Sequence, residues 1–205
     1  IESVLFNGGK LLTQMFVAGM GTSVIAGNFI AFSIAALINL PGNALGSAST
    51  IITGRRLGNG QIAQAEIQLR HVFWLSTIGL TAIAWLSAPF AGLMASFYTH
   101  DQEVKDVVVI LIWLNAAFMP IWAASWVLPS GFKGARDARF AMWVSMLGMW
   151  GCRVVAGYTL GIVLGWGVVG VWMGMFFDWA VRAALFYWRM VSGRWLWKYP
   201  RPKHE

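Results

Sequence analysis

Six long hydrophobic stretches, separated by short segments rich in glycine or charge, run the length of this chain. They lie at about 1–20, 24–52, 72–98, 104–129, 140–164 and 168–190. Each reaches the roughly 20 residues that an α-helix needs to cross the hydrocarbon core of a bilayer. The second stretch would extend about 44 Å as a helix, so we expect it to tilt or to project from the bilayer. The pattern predicts an all-α integral membrane protein with six transmembrane helices.

Turn-forming residues separate several of the stretches. Glycine-containing turns are predicted at 19–22, 58–60 and 165–167. We therefore predict one transmembrane lobe over residues 1–192, followed by a basic cytoplasmic tail over 193–205. Because the chain opens inside a hydrophobic stretch and without Met, we expect it to be the later part of a longer protein.

Composition supports the membrane assignment and argues against several other classes. Hydrophobic residues make up 58% of the 205 residues and charged residues only 11%, against roughly a quarter charged in soluble domains. Cys152 is the single cysteine, so we expect neither a disulfide framework nor a Cys-type metal site, and no cofactor. His71, His100 and His204 lie far apart on loops and tail, so we expect no catalytic residues and no enzyme.

The distribution of basic residues predicts the orientation. The net charge is +7, but the basic residues lie in short loops, where membrane topology explains them better than nucleic-acid binding. The side opposite the basic loops carries Lys105 among acidic residues. By the positive-inside rule, both ends of the chain are expected in the cytoplasm of a bacterial cell, within its inner membrane. Eleven of the 15 Lys and Arg fall on the predicted cytoplasmic side: Arg55, Arg56, Arg70, Lys133, Arg136, Arg139, Arg189, Arg194, Lys198, Arg201 and Lys203.

Three charged residues in the last two stretches predict an ion pair inside the membrane. Arg153 lies thirteen residues before the turn at Trp166, and Asp178 lies twelve after it. Both would sit about 18–20 Å from the turn, at the same depth. Arg182 follows Asp178 by one helical turn and can share its carboxylate. We interpret the three mainly as a structural pin for the hairpin, since an Asp beside two Arg is a poor proton carrier.

Polar residues in the first, second and fourth stretches are candidates for coupling or substrate binding. Glu2 is either a cation-binding carboxylate that lines a cavity or an interfacial residue. Asn7 and Lys10 add polar groups to the same helix, and we interpret Lys10 as a structural partner within the bundle. Asn28 and Asn115 lie in other hydrophobic stretches, where hydrogen bonding between helices is the default explanation and cavity lining the alternative.

Several short motifs along the chain carry a family resemblance. They are LPGNALGSAS at 40–49, TGRRLGNG at 53–60, GMGT at 19–22, GFKGARD at 131–137 and GVVGVW at 167–172, followed by Asp178-Trp179 and Arg182-Ala183. Together they resemble the C-terminal half of the multidrug and toxic compound extrusion (MATE) family, over nearly the whole chain. The resemblance implies helices seven to twelve of a twelve-helix transporter, whose two six-helix lobes surround a central cleft.

The resemblance also implies a function. Members export small organic compounds, often cationic and aromatic, in exchange for H⁺ or Na⁺, and Glu2 is similar to an acidic residue of their seventh helix. Some members also carry an Asp in the tenth helix, near the position of Trp122, and this chain has no acid there. We therefore expect an antiporter for drug-like compounds, which needs the N-terminal half and the lipid bilayer as partners. A flippase for a lipid-linked substrate and a non-catalytic membrane subunit are the alternatives.

Overall fold

Six helices make up the architecture of the chain in the computed structural model, which describes the backbone of residues 2–199 and the side chains of residues 7–199. All regular structure in these residues is helical, and a short 3₁₀ turn at Arg194–Leu196 follows the last long helix. The all-α prediction is confirmed. The helices are α1 (Glu2–Ala18), α2 (Thr22–Gly58), α3 (Ile62–Ser96, with a 3₁₀ turn at Ala88–Phe90), α4 (Gln102–Gly134), α5 (Ala138–Val163) and α6 (Gly167–Val191).

Five of these helices, α2 to α6, are long and apolar enough to span a membrane. The remaining helix, α1, has 17 residues and a length of about 26 Å. Large apolar side chains cover the outer surface of the bundle; Phe97 is 81% exposed, and Leu86 is 73% exposed. Such a surface requires an apolar solvent, as the hydrocarbon of a bilayer provides. The chain is a multi-pass membrane protein.

Two helices extend beyond the hydrophobic stretches that predict them. Helix α2 continues to Gly58 rather than ending near 52, and α3 begins at Ile62 rather than near 72. Hydropathy falls at Arg55, Arg56 and Arg70, but Arg is a good helix former, so the helices continue past the apolar segment. The hydrophobic stretch therefore marks the membrane-embedded part of a helix and not its ends.

The predicted turns lie between the helices, and each contains a glycine with positive φ; Gly60, between α2 and α3, has a φ of 73°. Gly21 precedes α2 with a φ of 102°, while Gly165 and Gly167 flank Trp166 with φ values of 71° and 59°. A side chain with a Cβ is strained in this region of backbone space. The turn at Trp166 folds α6 back along α5, so that the two form the expected hairpin.

Helix α4 lies at the centre of the lobe and contacts α2, α3 and α6. Its buried side chains contribute to two hydrophobic clusters. One cluster includes Ile34, Met119 and Phe176. The other, which includes Leu69 and Phe186, lies towards the end of the lobe that carries the basic loops; we call this the basic end.

Irregular backbone occurs on the helices that face the interior of the lobe. Pro41 lies inside α2, and Pro120 and Pro129 lie inside α4. Helix α5 is π-helical over Leu147–Val154 and again over Thr159–Val163. Because a π turn contains more residues than an α turn, side chains after Leu147 point in directions that an α register does not predict.

Candidate substrate cavity

A cavity of about 240 Å³ lies on one side of the lobe, where α1, α2, α4, α5 and α6 converge. Its walls combine basic, amide and aromatic side chains in the middle of apolar helices. No Asp or Glu is among the described residues that line it. The basic residues are Lys10, Arg153 and Arg182, the amides are Asn39, Asn43 and Asn115, and the aromatic residues include Trp122, Trp126, Trp172 and Trp179.

Arg153 occupies the wall between this cavity and a smaller one. Its side chain comes from the first π-helical segment of α5 and is 7% exposed. It also lines the neighbouring pocket of about 10 Å³, roughly the space of a single water molecule. Within the described part of the chain, Arg153 Nε has no hydrogen-bond partner. No described carboxylate oxygen lies within 4.0 Å of its guanidinium nitrogens.

Asp178 and Arg182 form a buried ion pair along one face of α6. Arg182 Nη2 lies 2.6 Å from Asp178 Oδ2, and the two residues are 4% and 0% exposed. The sequence predicts an ion pair between Arg153 and Asp178. In the structure Asp178 contacts Arg182 instead and interacts with Arg153 only at longer range. The π winding of α5 explains the difference, because it changes the direction of the Arg153 side chain.

Gly148 allows α5 to approach the Asp178–Arg182 pair closely. A Cβ at this position would collide with Asp178 Oδ1 and would lie 2.9 Å from Arg182 Cγ. Asp178 Oδ1 has no hydrogen-bond partner among the described residues. The backbone of α5 at Gly148 therefore covers the Oδ1 side of the Asp178 carboxylate, and Oδ2 contacts Arg182.

Asn28 joins three helices through a buried hydrogen-bond network. Its Nδ2 donates to Gln14 Oε1 at 3.0 Å, and its Oδ1 accepts from Trp172 Nε1 at 2.9 Å. Asn28 is 1% exposed. Both ends of its amide form bonds between helices, and Asn28 also lines the smaller pocket of about 10 Å³.

Asn115 and Asn39 differ from Asn28, because each has an amide atom without a partner. Asn115 is 1% exposed, and its Nδ2 makes no hydrogen bond in the described structure. Asn39 Oδ1 is likewise buried without a donor. Both residues line the larger cavity. Buried polar atoms normally have partners, so these two atoms can serve a bound molecule.

The candidate residues of α1 are placed only in part. Lys10 lines the larger cavity and is exposed, and Asn7 is exposed. Glu2 begins α1, but its side chain lies outside the described residues, as do Arg201 and Lys203 of the predicted tail. The part of the chain that the structure describes holds no group of three or more His, Cys, Asp or Glu that would bind a metal ion.

An aromatic wall surrounds the polar groups. Trp122 and Trp126 stack with ring centroids 5.8 Å apart, and Trp179 meets Trp122 edge-on at 6.5 Å. The sequence reasoning did not identify these residues. Their spacing was a usable signal, because Trp122 and Trp126 are four apart, and Trp172 and Trp179 are seven apart, on single helix faces.

The fold and the cavity define a membrane-embedded helical lobe with a polar cavity in its interior. The MatE family model matches residues 1–159, and the chain belongs to this family. The uncharacterized transporter YisQ of Bacillus subtilis is 26% identical over 198 residues, which cover 96% of this chain and 43% of YisQ. The probable multidrug resistance protein NorM of Xylella fastidiosa is 29% identical over 200 residues, or 94% of this chain and 42% of NorM.

Solved structures show the same fold. The MATE transporter ClbM in complex with Rb⁺ superimposes with a TM-score of 0.85 at 18% identity, over 96% of this chain and 47% of ClbM. A MOP superfamily transporter from Pyrococcus furiosus gives a TM-score of 0.88 at 20% identity, over 98% of this chain and 46% of that chain. The chain therefore spans less than half the length of the relatives that it matches.

Proposed function

We propose that this chain is the C-terminal half of a secondary antiporter that exports small organic, often aromatic compounds in exchange for H⁺ or Na⁺. The observation that carries the proposal is the cavity itself. Five helices bring together two amide atoms that have no partner among the described residues, a buried guanidinium and four Trp within otherwise apolar segments. Polar and charged residues at membrane depth usually line a substrate or ion pathway, because burying them in lipid is costly.

The irregular helices around the cavity support a transport role. Proline lies within α2 and α4, and α5 is π-helical at Arg153. Interrupted helices are common at the substrate sites of secondary transporters, where they release backbone groups towards a bound molecule. Family membership adds to the proposal, since related proteins are named multidrug resistance proteins. We propose that a second six-helix half closes the cavity from its open side, and that the protein is not an enzyme.

The coupling group is proposed to be an acid outside the described lining. Glu2 is the candidate within this chain, and an acidic residue of the other half is the alternative. A carboxylate suits the role because desolvation brings its titration towards neutral pH, where protons can compete with substrate. The inner membrane of a bacterial cell, with both ends of the chain in the cytoplasm, is the proposed location.

Efflux from vesicles that contain the intact gene product tests the function. An aromatic dye is loaded, and a proton or a sodium gradient is imposed separately, with protein-free vesicles as the blank. We expect one gradient to accelerate dye release and an ionophore that collapses it to abolish the effect. Trp126→Ala, in the cavity wall, should slow release, whereas Trp143→Ala, on a side chain that is 70% exposed, should not. No acceleration by either gradient would contradict the proposal and would favour a non-catalytic membrane subunit.

A flippase for a lipid-linked substrate is the second candidate, and the basic lining of the cavity favours it. Lys10, Arg153 and Arg182 can all face a phosphate group. A fluorescent lipid phosphate placed in one leaflet of the same vesicles distinguishes the two functions. Protein-dependent transfer of this lipid to the other leaflet, without release of soluble dyes, would replace the antiporter by the flippase.

A further inference from the structure

We propose that the larger cavity binds an organic anion, namely a soluble aromatic compound whose carboxylate or sulfonate contacts Arg153 while its ring lies among the Trp side chains. This inference deepens the proposed function, because it names the substrate class of the same site. It does not depend on the direction of transport or on the coupling ion.

Arg153 is the main reason to expect an anion. Its guanidinium is more than nine-tenths buried, lines two adjoining cavities and has no described carboxylate within 4.0 Å. The one acidic side chain nearby, Asp178, forms its ion pair with Arg182 instead. Among the described residues, Arg153 therefore has no carboxylate in contact with its guanidinium. Because a buried charge is stable only when it is paired and hydrogen-bonded, the cavity provides a place for an anionic group.

The neighbouring groups fit the two ends of such a molecule. Asn115 Nδ2 is a second buried donor without a partner on the same cavity. A carboxylate or sulfonate has several acceptor oxygens, so it can accept from a guanidinium and an amide together. The stacked rings of Trp122 and Trp126, with Trp179 edge-on, form an apolar wall for an aromatic ring. The four Trp favour a flat ring over a flexible lipid chain.

An organic cation would meet the opposite conditions. Among the described lining residues there is no carboxylate to receive it, and the cavity is lined by the buried guanidinium of Arg153, which has no described carboxylate within 4.0 Å. Like charges at short range in a desolvated site are strongly unfavourable. The aromatic wall by itself does not discriminate by charge, so Arg153 is the specificity-determining residue.

Two naphthalene probes of opposite charge test the inference directly. 1-Naphthoate and 1-naphthylmethylammonium have the same ring system, and quenching of Trp fluorescence in the purified intact gene product reports their binding. We expect naphthoate to bind at least about tenfold more tightly than the ammonium compound, since hydrogen bonds to a charged partner are worth about that factor or more. Tighter binding of the ammonium compound, or equal binding of the two, would overturn the inference.

Variants at Arg153 locate the charged contact. Arg153→Gln should weaken naphthoate binding about tenfold or more and leave the ammonium compound unchanged or bound more tightly, while Arg153→Lys should recover part of the affinity. Arg139→Gln makes the same change on an exposed residue of the same helix and should have no effect. Thermal unfolding of each variant shows whether it is folded. If a variant fails to fold, the comparison of the two probes in the unsubstituted protein still tests the inference. Equal loss of both probes in a folded Arg153→Gln protein would remove Arg153 from the site.

Transport and binding fail in different ways, so the two proposals are separable. Naphthoate binding without gradient-driven release would contradict the proposed antiport and leave the anion site intact. Release of cationic dyes alone would support a transporter and overturn the anion site. Dodecyl phosphate serves as the lipid-like probe, and its binding in preference to naphthoate would overturn the assignment to soluble aromatic compounds.

Discussion

The indole Nε1 of Trp172 donates a 2.9 Å hydrogen bond to Oδ1 of Asn28, which precedes it by 144 positions in the chain. The bond connects α6 to α2, and Asn28 continues it to Gln14 of α1. Trp172 also forms part of the cavity wall. The orientation of one wall of the candidate site thus depends on a buried amide that is itself hydrogen-bonded at both its nitrogen and its oxygen.

Removal of that amide should destabilise the lobe. We expect Asn28→Ala to lower the free energy of unfolding by about 1–3 kcal/mol, because the indole N–H and the Gln14 carbonyl oxygen lose their partner. Thermal denaturation of the purified protein in detergent measures the effect. Asn59→Ala, at an exposed position between α2 and α3, is the control and should change stability little. Equal effects of the two changes would show that the network contributes nothing to stability.

The Asp178–Arg182 pair leads to a second prediction. Asp178→Asn leaves a guanidinium that is 4% exposed without its carboxylate, and the loss of one partner of a buried pair costs roughly 3–5 kcal/mol. Denaturation should show this loss, while Asp106→Asn at an exposed position should alter stability by less than about 0.5 kcal/mol. Replacing both residues, as Asp178→Leu with Arg182→Met, should recover part of the loss. A double variant as unstable as the sum of the two single changes would contradict the coupling.

A third prediction concerns the close contact of α5 with α6. A Cβ at Gly174 would lie 2.6 Å from the Cα of Gly157, so the two backbones would have to separate. Gly174→Ala should therefore destabilise the protein by about 1–3 kcal/mol. Gly79→Ala lies in the interior of α3 with open space around it, and there Ala should be neutral or stabilising by up to about 1 kcal/mol. Melting temperatures of the two variants compare them, and a stable Gly174→Ala protein would mean that the hairpin is looser than the structure shows.

The predicted orientation is tested by cysteine labelling from each side of the membrane, in a background without Cys152. Gly58→Cys and Arg139→Cys, both exposed at the basic end, should be labelled only from the cytoplasmic side. Gln102→Cys at the opposite end should be labelled only from outside. Labelling of position 58 from outside would contradict the proposed topology.

The coupling role of Glu2 is inferred from the sequence alone. In the intact gene product, Glu2→Gln should abolish gradient-driven efflux while leaving the fold intact, because an amide cannot exchange a proton or bind a cation in the same way. Glu2→Asp should keep partial activity with a changed pH dependence. Asp106→Asn is the control for removing an acid elsewhere. Unchanged efflux and pH profile in Glu2→Gln would show that coupling lies in another residue, in this half or outside it.

The amino-acid sequence by itself determined the number, type and approximate position of the helices. These properties are local, since a bilayer requires about 20 apolar residues in each span, and glycine with positive φ allows the turns at Gly21 and at Trp166. The sequence also placed charge in the interior, at Arg153, Asp178 and Arg182. In each case the information lies within one continuous segment of the chain, so it could be obtained without the tertiary structure.

Only the tertiary structure decided which of these groups meet. The sequence predicts Arg153 opposite Asp178, but the π-helical segment of α5 turns its side chain towards a cavity. A π segment depends on packing between helices, which hydropathy does not reveal. Asn28 and Trp172 are partners because α2 and α6 contact each other in the lobe, not because of their spacing in the chain. The same holds for the aromatic wall, because α4 and α6 each contribute one face to it. A cavity lined by five helices is a property of their packing, since no single segment contains enough of its residues to define it.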